Sequence, residues 1–290
     1  MKTTLVVSLV LSLAGSLSIA ATTAPTHPPH VIGNSELRVL PTSAFGRNYQ
    51  LSIGLPSGYA NQPDRRYPVV YVTDGYWDFQ KLDAIRGSLF FDKVVPEFII
   101  VGLGYAGENL DHGNLRRWEL SPVPFGDGAD SGRAADFLRT IETEIIPFVE
   151  REYRADPGHR VLGGASLGGL FTLYAMYSKP DLFNAYIAVT PAVVLGDDWL
   201  LGYEEQFARA GKKLRGRLHV TMGENEGVGF LGGILRYNAR VQSRKYPDLE
   251  YQFRIIDGER HAGMQMEAYT RGLRFVFAPY APEQGPGLFP

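Results

Sequence analysis

Six short apolar runs constrain this chain more than any other feature: "PVVYVTDG", "EFIIVGLGY", "RVLGGAS", "AYIAVTP", "LHVTMGE" and "YQFRIIDG". Unbroken apolar runs that stop at turn residues are the pattern of strands covered on both faces, as in a parallel sheet. Two earlier runs, "SELRVLPTS" and "RNYQLSIGLP", alternate or are β-branched and flank Gly46, so they read as an antiparallel hairpin. Helical patterns separate the later runs. The clearest is "GRAADFLRTIETEIIPFVEREY", in which Phe137, Leu138, Ile141, Ile145, Phe148 and Val149 share a face and Pro147 is expected to kink the last turns. Others are "LGGLFTLYAMYSKP", "YEEQFARAGKKL", "YNARVQSRKY" and "QMEAYTRGLRFVF". The alternation predicts a three-layer α/β domain over residues 35–280, built on a mostly parallel sheet of eight strands, with a tail over 281–290. The segment "GYAGENLDHGNLRRWELSPVPFGDGADSG" reads as a long polar loop after the fourth strand, at the sheet edge where such folds bind ligands.

The 29 basic and 31 acidic residues are interspersed and give a formal net charge of −2, so there is no basic stripe for nucleic acid. The chain contains no cysteine, which excludes disulfides, thiolate metal sites and a cysteine nucleophile. Lys2 followed by "TLVVSLVLSLAGSLSIA" has the charge, apolar centre and small residues of a signal peptide over 1–20. A Pro/His/Thr-rich leader over 21–34 reads as flexible. The mature protein is expected to be exported, periplasmic or secreted, without a membrane span.

Gly164-Ala165-Ser166-Leu167-Gly168 fits G-x-S-x-G, between an apolar strand and a helix. In that setting a serine sits on a sharp strand-to-helix turn, and its flanking glycines let strand and helix approach. A serine hydroxyl needs a base, and the base an orienting carboxylate, in the chain order serine, acid, histidine. Of the six histidines, His27, His30, His112 and His159 precede the serine. His219 lies inside a strand, where a structural imidazole is the ordinary reading. His261, in the loop after the last strand, is the expected base. Glu226 in "TMGENEG" is the preferred acid, Glu224 the alternative and Asp198 the fallback. Oxyanion donors are expected from the backbone amides of Leu167 and of Tyr76 in "TDGYWDF". Trp77, Tyr105, Trp118 and Phe125 are candidate aromatic walls or, equally, anchoring core rings. Arg117 is a candidate ligand for an anionic substrate group, though Arg116 and Arg117 read more simply as surface charges.

The ordered set "YPVVYVTDG", "IIVGLGY", "RRWELSP", "FVEREYR", "GGASLGGL", "MGENE" and "RHAGMQMEAYTRGLRFVF" resembles an esterase family of α/β-hydrolases. That family includes esterase D, feruloyl and acetylxylan esterases, siderophore trilactone esterases and mycolyltransferases. The resemblance covers roughly residues 36–278 and implies a serine esterase without metal or organic cofactor. It implies Ser166, His261 and the acid of the "GENE" loop as a catalytic triad; family members often have Asp where this chain has Glu226. "VGLGY" and "RRWELSP" are similar to the siderophore-esterase branch. The interval after the sixth strand is too short for a large lid, which suits a bulky or polymer-linked ester. Acyl transfer on the same scaffold and a non-catalytic binding module are the competing functions, and the oligomeric state stays open.

Overall fold

The computed structural model describes residues 31–40, 46–126 and 131–282. The expected signal peptide over 1–20, most of the leader over 21–34 and the tail beyond residue 282 lie outside the described residues. Asn34 begins the unit that carries the sheet.

Eight strands form one sheet: β1 (Ser35–Leu40), β2 (Tyr49–Gly54), β3 (Tyr67–Val72), β4 (Ile99–Tyr105), β5 (Ala155–Ala165), β6 (Ala185–Val189), β7 (Arg215–Gly223) and β8 (Asp248–Ile256). Their order across the sheet is β1-β2-β4-β3-β5-β6-β7-β8. The β1–β2 and β2–β4 pairs are antiparallel and the other five are parallel. This is the expected three-layer α/β-hydrolase arrangement. Every residue of β4 and β6 is buried, which is what their unbroken apolar runs demanded. β8 departs from that expectation. It is the sheet edge, most of it is exposed or half-buried, and Ile255 is half in solvent.

The helices are α1 (Gly75–Phe91), α2 (His112–Leu120), α3 (Ala134–Thr140), α4 (Ile146–Glu152), α5 (Leu167–Ser178), α6 (Leu195–Arg209), α7 (Val228–Arg244) and α8 (Gln265–Phe277). Between α3 and α4 the run widens into a π-helical stretch, Ile141–Ile145. The distortion thus sits just ahead of Pro147, which has no N–H to donate back into that turn. α2 corrects the reading of residues 104–132 as one long loop. Asp111 caps it, its carboxylate accepting from the Asn114 backbone N–H at 3.0 Å. The connection from β6 to α6 holds only residues 190–194, so no lid domain is inserted there. Among the described residues no helix is long and apolar enough to cross a membrane.

His219 on β7 is fully buried against Phe275, with ring centroids 5.8 Å apart. Gln252 lies beside it in the β7–β8 pairing, yet neither ring nitrogen makes a hydrogen bond of good geometry. Burial pushes its pKa down to about 4. A base with a lowered native pKa stabilises the fold above its unfolded value near 6.5 and loses that contribution as pH falls toward 4. His219 is therefore expected to account for about 3 kcal/mol of acid destabilisation across that window. His219→Leu should show a smaller loss of urea stability between pH 7 and pH 4; an unchanged loss would exclude His219 as the cause.

Candidate active site

Ser166 connects β5 directly to α5 with φ 58° and ψ −115°, a backbone conformation that residues with a Cβ seldom adopt. Hydrogen bonds hold it there. Its N–H donates to the Val189 carbonyl at 2.9 Å, and its carbonyl accepts from Leu170 and Ala192 N–H groups, each at 3.0 Å. The glycines two places either side are steric requirements. A Cβ on Gly164 would lie 2.4 Å from Thr73 Oγ1 and 2.6 Å from the Gly168 backbone, and one on Gly168 would lie 2.1 Å from Thr73 Oγ1. The strand-to-helix elbow read from the sequence is present.

His261 lies in the turn before α8 and Glu226 in the turn before α7, both at the carboxyl edge of the sheet. His261 Nδ1 is 3.0 Å from Glu226 Oε2. The histidine side chain is 39% exposed and that of the glutamate 1%, so the imidazole is open to solvent while the carboxylate is not. The Phe230 ring meets the imidazole edge-on, with centroids 4.7 Å apart. The elbow is linked to this pair through two consecutive residues: Val189, which accepts the Ser166 N–H, precedes Thr190, and Thr190 Oγ1 is 3.3 Å from His261 Nδ1. Thr190 also donates its hydroxyl to Glu226 Oε1. The sequence reading missed it, since a threonine closing a strand carries no special signal.

The two alternatives for the acid are placed elsewhere. Glu224 is exposed, and its carboxylate accepts the Gly258 N–H at 2.8 Å, bracing the turn that leads to His261. The backbones of the two loops are laced together by Glu224 N–H to Ile256 O at 2.9 Å and Asn225 N–H to Glu259 O at 2.8 Å. Asp198 accepts from Arg236 Nε at 2.6 Å on α7.

Leu167 and Tyr76 occupy the first turns of α5 and α1, where backbone N–H groups have no partner within the helix and point outward. Tyr76 follows a strained connection, with Asp74 at φ 53° and its side chain nearly buried. Arg116 of α2 grips that carboxylate in bidentate fashion, Nε to Oδ1 and a terminal nitrogen to Oδ2, both at 2.9 Å. Arg116 is thus no ordinary surface charge: it ties α2 to the loop that carries Tyr76. On α1, buried Asp78 accepts from Tyr269 Oη and Lys81 Nζ, each at 2.5 Å, and Lys81 also meets Gln265. Burial raises the Asp78 pKa above the ordinary carboxylate value. The network joins the first turn of α1 to α8.

The aromatic candidates divide by position. Trp77 is 56% exposed beside Tyr76, with ring centroids 4.6 Å apart. Tyr105 is buried between Tyr49 and His112 and is an anchoring ring, not an open wall. Trp118 carries Arg47 at 4.4 Å and Arg133 at 5.0 Å over its ring, and Arg117 lies over Phe125 at 5.6 Å. Arg47, Arg117, Trp118 and Arg133 line a cavity of about 540 Å³ together with Asn114, Leu115 and Ser131. Behind it Arg47 is 2.9 Å from fully buried Glu119, which also accepts the Tyr49 hydroxyl at 2.8 Å. Burial pushes the Glu119 pKa up to about 7. Among the described residues no cluster of His, Asp or Glu could hold a metal ion.

Residues 42–224 match the model of the family described as "Putative esterase". The chain belongs to this family. It is an ester hydrolase. Ferri-bacillibactin esterase BesA of Bacillus subtilis is 28% identical over 273 residues, covering 88% of this chain and 94% of its own. The crystal structure of BES protein from Bacillus cereus superposes with a TM-score of 0.78 at 27% identity, over 88% of this chain and 98% of that one. Siderophore hydrolase EstB from Aspergillus nidulans shares the fold, with a TM-score of 0.77 at 22% identity over 89% of this chain and all of its own.

Proposed function

We propose that this esterase is an exported serine carboxylic-ester hydrolase that works through an acyl-enzyme on a bulky ester of the siderophore trilactone type. The observation that carries the reading is the His261–Glu226 pair beside the Ser166 elbow. In the proposed cycle Ser166 Oγ attacks the ester carbonyl while His261 Nε2 takes its proton. The Leu167 and Tyr76 amides hold the oxyanion, each worth about 3–4 kcal/mol in a water-poor site. The proton passes to the departing alcohol, and water then repeats the sequence to free the acid. Glu226 holds Nδ1–H throughout, so that Nε2 faces the serine unprotonated at the start.

Support for the substrate class comes from the relative BesA, a ferri-bacillibactin esterase, and from the arginine-lined cavity beside α2, which suits an anionic group of a large substrate. In this reading Arg117, Trp118 and exposed Trp77 would contact it, and a feruloyl or acetyl ester of a polymer is the less favoured substrate. The amino-terminal sequence supports export. The test is a substrate panel offered to the mature protein: a catecholate trilactone, methyl ferulate, acetylated xylan and p-nitrophenyl acetate, with and without an alcohol acceptor. Trilactone turnover at the highest kcat/KM is expected. A preference for ferulate or xylan acetate would overturn the substrate class, and acceptor-dependent product would replace hydrolysis by acyl transfer.

A further inference from the structure

We propose that Thr190 is a positioning residue of the triad: its buried hydroxyl fixes the Glu226 carboxylate and, through it, the ring of His261. The inference rests on the serine-esterase reading of the site. Thr190 follows β6 and is fully buried, with a φ of 37° that is unusual for a β-branched residue. Its N–H donates to the Thr221 carbonyl at 2.8 Å, which pins the residue to β7. Both carboxylate oxygens of Glu226 are then occupied: Oε1 accepts the Thr190 hydroxyl, and Oε2 lies 3.0 Å from His261 Nδ1. Thr190 Oγ1 is also 3.3 Å from Nδ1, so the imidazole N–H finds an acceptor on either side of the line it must point along.

A glutamate has a longer and more flexible side chain than an aspartate, and a carboxylate held at one oxygen can rotate away from the imidazole. A second, charge-assisted hydrogen bond fixes the carboxylate plane. The glutamate then presents Oε2 to His261 in one orientation, and the imidazole keeps the tautomer that leaves Nε2 free to act as base. The hydroxyl makes no substrate contact in this scheme, so its loss should act on the chemical step and leave binding alone.

The test measures p-nitrophenyl acetate hydrolysis by the mature protein. Thr190→Val, which keeps the shape and removes the hydroxyl, is expected to lower kcat about 10- to 100-fold with KM within about twofold of wild type. Thr190→Ser should restore kcat to within about threefold. In a Glu226→Gln background, adding Thr190→Val should cost less than about threefold, because the residue acts through a carboxylate already removed. Thr190→Ala serves in place of the valine if that variant does not fold, as judged by cooperative urea unfolding. An unchanged kcat in folded Thr190→Val or Thr190→Ala, a serine variant as slow as the valine one, or a full additional loss in the Glu226→Gln background would each overturn the proposal. Wild type runs alongside: absence of its turnover would remove the esterase reading itself, whereas normal turnover in the variants removes only the role of Thr190.

Discussion

Ser166→Ala is expected to lower kcat for any ester the protein hydrolyses by about 10⁵-fold or more, because the nucleophile, base and acid operate as a unit and the remaining site only binds and polarises. The fold should survive. Ser166 sits at the elbow through its backbone, its N–H bonded to Val189 O and its carbonyl to two N–H groups, and alanine keeps all three bonds. The side chain is half-buried, and urea stability should change by no more than about 1 kcal/mol. Two measurements on the same preparation decide the matter: steady-state turnover, and covalent labelling by a fluorophosphonate followed by peptide mapping. Label on Ser166 in the wild type and none in the variant, with both proteins folded, is the expected pair. Turnover in the alanine variant above about one part in a thousand would move the nucleophile elsewhere. A folded wild type that neither labels nor turns over any ester would return the weight to a binding module that keeps the fold.

The parts of this site that the sequence exposes are those fixed by local sterics. The elbow is legible because strand and helix can approach only if residues 164 and 168 lack a Cβ, a requirement written into positions two either side of the serine. His261 is legible by elimination along the chain order. Glu226 and Glu224 are two residues apart in one loop, and spacing favours neither strongly. Their difference is burial, and it is created when Gly223 lets the loop pass so close to Glu259 that a Cβ would lie 2.6 Å from its carbonyl oxygen. Arg116 and Arg117 pose the same problem on α2. Helix phase turns the first onto Asp74 and the second toward the cavity, and phase is unreadable in a segment whose polar composition hides the helix. α1 was hidden differently. Its buried positions 75, 78, 79 and 82 have helical spacing, but one is the charged Asp78, whose partners Tyr269 and Lys81 come from α8 and from the next turn of α1. Thr190 needed the whole sheet: only the β5-β6-β7 order sets the end of β6 between the serine and the acid.

Glu226→Gln should cost about 10³- to 10⁴-fold in kcat, and Glu224→Gln less than about threefold. The asymmetry follows from what each amide would be forced to do. Glu224 is exposed, and a glutamine there still offers a carbonyl oxygen to the Gly258 N–H. At position 226 the side chain is buried and has two neighbours with conflicting needs. The Thr190 hydroxyl donates to one oxygen, so the amide oxygen is drawn to Thr190 and the NH₂ is turned toward His261 Nδ1. A donor facing Nδ1 makes that nitrogen the acceptor and places the imidazole proton on Nε2, where it blocks removal of the serine proton. The negative charge that stabilises the imidazolium is lost as well. KM should stay within about twofold of wild type, since neither side chain is placed to touch substrate. Steady-state kinetics of the two variants on p-nitrophenyl acetate, with urea unfolding to confirm the fold, separates the assignments. If Glu224→Gln proved the slower enzyme, the pairing seen with His261 would not be the one used in catalysis, and the acid would have to be reassigned to the exposed side of the loop.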